Sequence, residues 1–201
     1  MEQFGYLSIG IIVSYLVGAI PFGLFLAKIK GIDILNQGSG NIGATNVGRV
    51  LGAKYGLAVF VLDALKGALP AKAGMLYLDT PLGPEIAGIL MGASAIFGHL
   101  FPIYLKFKGG KGVATALGIF LVLSPKAVFF ALIVFILTVT ITRYISLGSV
   151  LAALSAPLVI LLLNHPQPIF LATLFIAALV IWRHNSNIRR LLDGTENRFK
   201  A

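Results

Sequence analysis

The sequence predicts an all-α, polytopic integral membrane protein of about seven transmembrane helices, some of them short, forming one domain over residues 1–201. Three observations predict it. Of the 201 residues, 58% are apolar and 11% charged, with a mean hydropathy of +0.94. A soluble domain averages about 45–50% apolar and about 25% charged, and a soluble fold this small has no interior large enough for the excess. That excludes a soluble enzyme, a secreted domain and a disordered chain. Second, the apolar residues come in runs long enough to cross a bilayer. Third, the polar segments between them are basic: 16 Lys+Arg oppose 7 Asp+Glu, a net charge of +9. In a membrane protein this imbalance marks cytoplasmic loops, anionic lipid or an anionic substrate. No long basic soluble region or aromatic–basic platform is present, so no nucleic-acid partner is expected. The chain has no cysteine, which removes disulfides, thiolate metal sites and cysteine nucleophiles.

A spanning helix needs about 20 apolar residues, because lipid forces every backbone hydrogen bond inside the segment. Phe4 to Leu26 is free of charge over 23 residues and reads as the first span. Glu2 stands where a signal peptide would be basic, so cleavage is not expected. Tyr55 to Met75 is the second span and carries Asp63, Lys66 and Lys72; Ile86 to Leu105 is the third, with His99 as its ionisable group. Gly112 to Thr142 is split by Ser124-Pro125-Lys126 into two short arms. Tyr144 to Trp182 runs 39 residues without a formal charge, too long for one helix, and Asn164-His165-Pro166-Gln167-Pro168 breaks it into two. If 112–142 is a hairpin, the four polar segments Lys28–Lys54, Lys106–Lys111, Arg143 and Arg183 onward share one side and hold 13 of the 16 Lys+Arg. The positive-inside rule then places the N-terminus outside and the C-terminus in the cytoplasm. No internal repeat or low-complexity segment is present.

Three of the polar segments look unlike simple connectors. Gly38-Ser39-Gly40-Asn41-Ile42-Gly43-Ala44-Thr45-Asn46-Val47-Gly48-Arg49 formally matches GxGxxG. That fingerprint has meaning only between a strand and a helix of a βαβ unit, and here a membrane helix precedes it. What survives is narrower: close glycines let backbone N–H groups converge on an anion, and Arg49 can fork onto phosphate oxygens. A plain linker would not need Ser, two Asn, Thr and Arg among its glycines. Lys106-Phe107-Lys108-Gly109-Gly110-Lys111-Gly112-Val113-Ala114-Thr115 places three lysines and three glycines between two spans. It is no Walker A loop, since Leu105 and Gly112 stand where that motif needs Gly and Ser/Thr. Glycine amides at a helix N-terminus beside lysines nonetheless make a phosphate seat. Lys106 alone reads as a membrane anchor. In Arg183–Glu196, Ile188, Leu191 and Leu192 predict a short interfacial amphipathic helix ended by Gly194, with His184, Asn187 and Arg190 on or near one face.

Two features lie inside spans. Asp63 and Lys66, three apart, either neutralise each other or line a polar site, since charge at membrane depth is costly. His99, before Phe101-Pro102, lies near the cytoplasmic end of its span. No acidic pair is placed to hold Mg²⁺, which weakens kinase and pyrophosphatase readings. There is no GxSxG elbow. No histidine has an acid five residues on; those positions are Tyr104, Phe170 and Arg189. A lipid-linked enzyme using phosphorylated substrates, with no metal and no cofactor, is what remains.

With these residues assembled, the chain resembles the bacterial membrane acyl-phosphate:glycerol-3-phosphate acyltransferases. The resemblance covers nearly the whole length. It rests on Gly18-Ala19-Ile20-Pro21-Phe22-Gly23, on Gly38 to Arg49, on Leu62-Asp63-Ala64-Leu65-Lys66-Gly67, on Gly98-His99-Leu100-Phe101-Pro102 running into Lys106–Thr115, and on Arg183–Glu196. The chain departs from the family's usual pattern at Ala19, where Ser is common, Leu35, where a basic residue is usual, and Gly48, where a larger apolar residue is usual.

The resemblance implies transfer of a fatty acyl group from acyl phosphate to the 1-hydroxyl of glycerol 3-phosphate. The products are lysophosphatidic acid and phosphate, the first step of phospholipid synthesis, made at the cytoplasmic face of the bacterial inner membrane. The implied partners are the two substrates, membrane lipid and a peripheral enzyme that makes acyl phosphate. Two phosphorylated substrates account for two basic glycine clusters. Ser39, Asn41, Thr45, Asn46 and Arg49 are assigned to one phosphate and the glycerol. Lys108, Gly109, Gly110 and Lys111, with Thr115, are assigned to the other. Lys66, His99, His184 and Asn187 are expected to close the site, and Ser39 and His184 are the candidate catalytic side chains. With no His–acid pair in the sequence, a substrate phosphate, whose second pKa is about 6, is expected to take the hydroxyl proton, ahead of His184 and His99. The competing class is a transporter of a small organophosphate, since midspan charges and broken helices also serve transport.

Overall fold

The computed structural model describes residues 2–77 and 83–199. Lys200, one of the cations counted above, lies outside them. Ten α-helices are present among the described residues: α1 (Glu2–Ala19), α2 (Phe22–Ile29), α3 (Ala44–Leu51), α4 (Ala53–Tyr77), α5 (Pro84–Leu100), α6 (Val113–Leu123), α7 (Pro125–Thr142), α8 (Ile145–Leu162), α9 (Gln167–Arg183) and α10 (Asn185–Leu192). The chain divides into two compact units, Met1–Leu123 and Ser124–Ala201.

In the first unit α1 packs on α5, and α4 packs on α5, α6 and α3. Lipid gives helices no hydrophobic reason to associate, so close backbone approach through small residues does that work. Gly18 lies on the Ala95 backbone and Gly98 on Tyr15 and Ala19; Gly67 lies on Thr115 and Gly118 on Ala64, with no room for a β-carbon at any of them. Tyr15 Oη then donates to the Phe101 carbonyl at the end of α5 (2.7 Å), and Ser94 Oγ to the Ile11 carbonyl (2.7 Å). In the second unit α8 packs on α7 and α9, and α10 touches both α8 and α9. Outward faces such as Ile9, Ile12 and Val13 of α1, or Phe129, Ile133 and Ile136 of α7, are exposed, as lipid-facing positions should be.

The uncharged run 4–26 is two helices rather than one. Pro21 has no N–H and its ring collides with the preceding turn, so the chain breaks at Ile20-Pro21 and restarts as α2. The third span ends where expected, at Leu105, but its α-helix stops at Leu100 before Pro102, and a 3₁₀ turn, Ile103–Leu105, completes it. Stretch 112–142 is indeed two arms: Ser124 caps α7 by accepting from Ala127 N–H, and Pro125 takes its first position. The arms are 11 and 18 residues long. The break in 144–182 falls at Asn164, with φ +53°, and Pro166.

Four stretches among the described residues are long and apolar enough to cross a membrane: Gly5–Ile29, Pro84–Leu105, Pro125–Thr142 and Ile145–Leu162. A fifth is added if α9 and α10, bent by 56°, count as one. Length and composition therefore stop short of seven. At about 1.5 Å per residue α4 is long enough for a core of about 30 Å, but it carries Lys54, Asp63, Lys66 and Lys72. Helix α6 covers only about half that depth.

Because Gly98 is pressed on Tyr15 and Ala19, Gly98→Leu should cost about 1–3 kcal/mol or more through overpacking and lower the thermal midpoint in detergent. Gly5→Leu, with nothing within 4 Å of its β-position, should stay within about 0.5 kcal/mol of wild type.

Candidate functional site

The first basic loop is organised by Asn46. This residue is 2% exposed. Its Oδ1 accepts Ser39 N–H (2.8 Å), while its Nδ2 donates to the carbonyls of Asn41 (2.9 Å) and Gln37 (3.0 Å), with Ile34 O at 3.5 Å. Gly38, at φ +61°, lies so close to Asn46 Oδ1 that no β-carbon fits. Asn41 Oδ1 accepts Gly43 N–H (2.8 Å) and sets up the first turn of α3. Beneath, Ile34, Ile42 and Val47 join Leu24, Ala27 and Val59 in an apolar cluster. Above, Ser39, Thr45 and Arg49 are exposed. Thr45 and Arg49, four apart on α3, share a face. The loop thus presents three of its five predicted side chains outward. Asn46 bonds loop carbonyls and the Ser39 amide and so holds the loop together.

The second loop turns back on α5. Phe107 N–H donates to Pro102 O (3.0 Å), Lys108 N–H to Leu105 O (3.1 Å), Gly109 N–H to Leu100 O (3.2 Å) and Gly110 N–H to His99 O (3.1 Å). Lys106 (φ +50°) and Phe107 (φ +63°) are both left-handed, a conformation that side chains resist. The two glycine amides were expected to seat a phosphate. They are used on the carbonyls at the end of α5 instead, and glycine is required because a β-carbon at 109 would strike His99 O and one at 110 would strike His99 Nε2. Lys108, exposed, and Lys111, half-buried, carry the loop's charge. Leu105 packs on the same apolar cluster that floors the first loop, so the two basic segments stand on one footing.

Below the loops lies a buried polar cluster. Lys66 Nζ is 2.8 Å from Asp63 Oδ1 and donates to the Ile20 carbonyl (2.9 Å) at the α1–α2 break, which also accepts Phe22 N–H (3.2 Å). The Phe22 ring lies 5.6 Å from the ammonium. His99 Nδ1 is 3.8 Å from Asp63 Oδ1. Asp63, Lys66 and His99 are each 3–4% exposed. The sequence search for a His–acid pair missed this one because its partners lie 36 positions apart, on different helices; local spacing carries no signal for it. The premise that no such pair exists is corrected accordingly. Thr115 is fully buried against Gly67, and its Oγ1 has no hydrogen-bond partner.

In the second unit, His184 Nδ1–H donates to the Val180 carbonyl (2.7 Å) in a buried position. Glu196, given no role in the sequence analysis, is a hub. It accepts Asn187 Nδ2 (2.7 Å), Ser146 Oγ (2.8 Å) and Arg190 Nε (2.7 Å). Asn187, expected at the substrate, is thus engaged in pinning the tail to α8 and α10. Burial pushes the Glu196 carboxyl upward, but its three donors outweigh that and hold it below its ordinary value. Phe199 N–H adds a bond to the Arg143 carbonyl (2.6 Å). Among the described residues no group of three His, Cys, Asp or Glu could hold a metal ion.

A multi-pass helical membrane protein whose two cationic loops share one apolar footing is the class defined so far. Residues 8–194 match the glycerol-3-phosphate acyltransferase family model, and the chain belongs to that family. It is 52% identical to a glycerol-3-phosphate acyltransferase of Trichlorobacter lovleyi over 94% of this chain and 95% of that one. It is 44% identical to one of Aquifex aeolicus over 94% and 97%. It superposes on the crystal structure of PlsY (YgiH), an integral membrane glycerol 3-phosphate acyltransferase, in its glycerol 3-phosphate form. That match has a TM-score of 0.90 at 42% identity, covering 97% of this chain and 96% of the other. The lysophosphatidic acid form gives a TM-score of 0.88.

Two expectations follow. Asn46→Asp removes the Nδ2 donor and sets a carboxylate against Gln37 and Asn41 carbonyls; it should cost about 1–3 kcal/mol and free loop 38–46 for proteolysis. For Glu196, the depressed folded value means that its contribution is present above the ordinary value of 4.5 and is lost as pH falls through the folded value. Acid titration of the thermal midpoint should show that loss in wild type, and Glu196→Gln should lack it.

Proposed function

We propose that this protein transfers a fatty acyl group from acyl phosphate to the 1-hydroxyl of glycerol 3-phosphate, releasing lysophosphatidic acid and phosphate as the first step of phospholipid synthesis. It works as one integral domain over residues 1–201, without cofactor. It lies in the bacterial inner membrane with the N-terminus outside and the C-terminus and site cytoplasmic, fed by a peripheral enzyme that makes acyl phosphate. The observation that carries the reading is the pair of cationic loops on a common apolar floor: each substrate brings one phosphate, and each loop offers fixed cations. The two forms of the similar PlsY structure, with glycerol 3-phosphate and with lysophosphatidic acid, supply the chemistry of acceptor and product.

The substrate hydroxyl oxygen attacks the acyl carbonyl carbon, the carbon–oxygen bond to phosphate breaks, and inorganic phosphate leaves. Phosphate is a good leaving group, so positioning and charge stabilisation do most of the work. Ser39, Thr45 and Arg49, with Asn41, hold one phosphate and the glycerol; Lys108 and Lys111, with Thr115 at the start of α6, hold the other. A substrate phosphate accepts the hydroxyl proton. That assignment is supported by the two competing imidazoles: His99 is buried against Gly110 and Asp63, and His184 is buried with Nδ1 committed to Val180.

Purified protein in detergent, given acyl phosphate and glycerol 3-phosphate with chelator present, should release phosphate; a transporter would need a sealed vesicle and release none. Arg49→Ala and Lys108→Ala should each lower kcat/KM by about 10²-fold. A loss of the order of 10⁴-fold in His184→Ala or His99→Ala with an intact fold, together with loss of a histidine-like limb from the pH profile, would reject the substrate phosphate as base.

A further inference from the structure

Asp63 has no part in the chemistry above, yet an ionisable group inside a membrane helix is kept only where something requires it. Its pairing with Lys66, three residues on, would be complete by itself if neutralisation were the whole purpose. The cluster extends further. Lys66 also bonds Ile20 O at the α1–α2 break, and Asp63 Oδ1 also faces His99 Nδ1 at 3.8 Å. Three pieces of the bundle are therefore joined at one carboxylate: the break after α1, the middle of α4 and the last turn of α5.

His99 is the member that reaches the loop. Its carbonyl accepts Gly110 N–H, its neighbour Leu100 accepts Gly109 N–H, and its ring lies against Gly110 so tightly that Nε2 occupies the space of a β-carbon. The turn that leads into Gly109-Gly110 is strained. Lys106 and Phe107 both sit at positive φ, and such backbone persists only where its surroundings over-determine it. An imidazole that rotated about its side-chain torsions would leave Gly110 unsupported. The Asp63 carboxylate, 3.8 Å from Nδ1 and so acting by charge and not by a hydrogen bond, favours that rotamer, and Lys66 cancels the charge so that it can stay buried.

We propose that Asp63 is a positioning residue of the acyltransferase site: acting through His99, it fixes the Gly109-Gly110 turn from which Lys108 and Lys111 meet a substrate phosphate. The proposal rests on the acyltransferase reading for what the loop binds, and on geometry alone for what holds the loop.

The test compares wild type, Asp63→Asn, His99→Gln and the double variant, purified in detergent. Amide hydrogen exchange should rise about tenfold over 106–112 in Asp63→Asn and stay at the wild-type rate over 38–49. The KM of one phosphate substrate should rise about tenfold or more while that of the other holds. Over 106–112 the double variant should exchange no faster than His99→Gln, because Asp63 reaches that loop through the His99 ring. Unchanged exchange over 106–112, equal loss of protection in both loops, or losses that multiply in the double variant would each overturn the proposal. If Asp63→Asn does not fold, Asp63→Asn/Lys66→Met removes the lone buried cation and gives the same exchange readout. A wild type that releases no phosphate would sink the acyltransferase reading, and the exchange measurement would still decide the role of Asp63.

Discussion

Lipid offers no hydrogen bond to a broken helix, and this chain breaks its helices repeatedly. Every break leaves carbonyls or amides that must find a partner inside the protein. At Ile20-Pro21 the partner is Lys66 Nζ, reaching across from α4. At the end of α5 it is Tyr15 Oη on Phe101 O, together with the Gly109 and Gly110 amides on Leu100 O and His99 O. At Ser124 it is the serine's own oxygen on Ala127 N–H, with His165 Nε2 2.9 Å from the same oxygen. The polar residues in the membrane domain are placed largely where that requirement arises. The breaks in turn are what allow glycine-rich, cation-bearing loops to form between helices at the ends of the bundle. Satisfying the backbone and building the site are the same structural act at the α5–α6 turn: two glycine amides finish α5 and, in doing so, fold Lys108 and Lys111 into place.

The helix crossings obey a related economy. Gly18, Gly67, Gly98 and Gly118 each lie against a neighbouring backbone with no space for a β-carbon. Such crossings bring helices close enough for side chains to bond carbonyls of a different helix, as Ser94 does to Ile11 and Tyr15 to Phe101. A looser bundle with larger residues at these positions would put Lys66 out of reach of Ile20. Close packing through glycine is therefore a precondition for burying Lys66 and Asp63 at all, since a cation at that depth needs both its carboxylate and its carbonyl within hydrogen-bond distance.

Much of the architecture was legible from composition and run length. Charge-free runs located α1, α5, α7, α8 and α9, and prolines at 125 and 166 located two breaks, because proline's missing N–H acts wherever it falls. The break at Pro21 was passed over inside a run otherwise uniform in hydropathy. The loops stood out as candidate sites from their residue types, since glycine beside cations is unusual in a connector. The roles within them were not. Asn46 and Asn187 look like ligands in sequence, and tertiary contacts turn them into holders, because an amide is equally suited to a substrate oxygen and a backbone carbonyl. Gly109 and Gly110 look like a phosphate nest, yet their amides serve α5. His99 and Asp63 meet across helices, where no spacing rule applies.

The two loops owe their shape to different sources, and this difference has consequences for how the site behaves. Loop 38–49 is held by a side chain within itself: the Asn46 bonds to Ser39, Asn41, Gln37 and Ile34 close within a dozen residues, so its order depends on local sequence and the apolar cluster below. Loop 106–112 is held from outside, by the end of α5 and, beneath it, by a carboxylate on α4. A change in how α4 and α5 lie against each other would reach the second loop through the end of α5, and the first through the apolar cluster to which α4 contributes Val59. One loop is thereby ordered largely by its own side chains, while the other depends on the packing of α4 and α5.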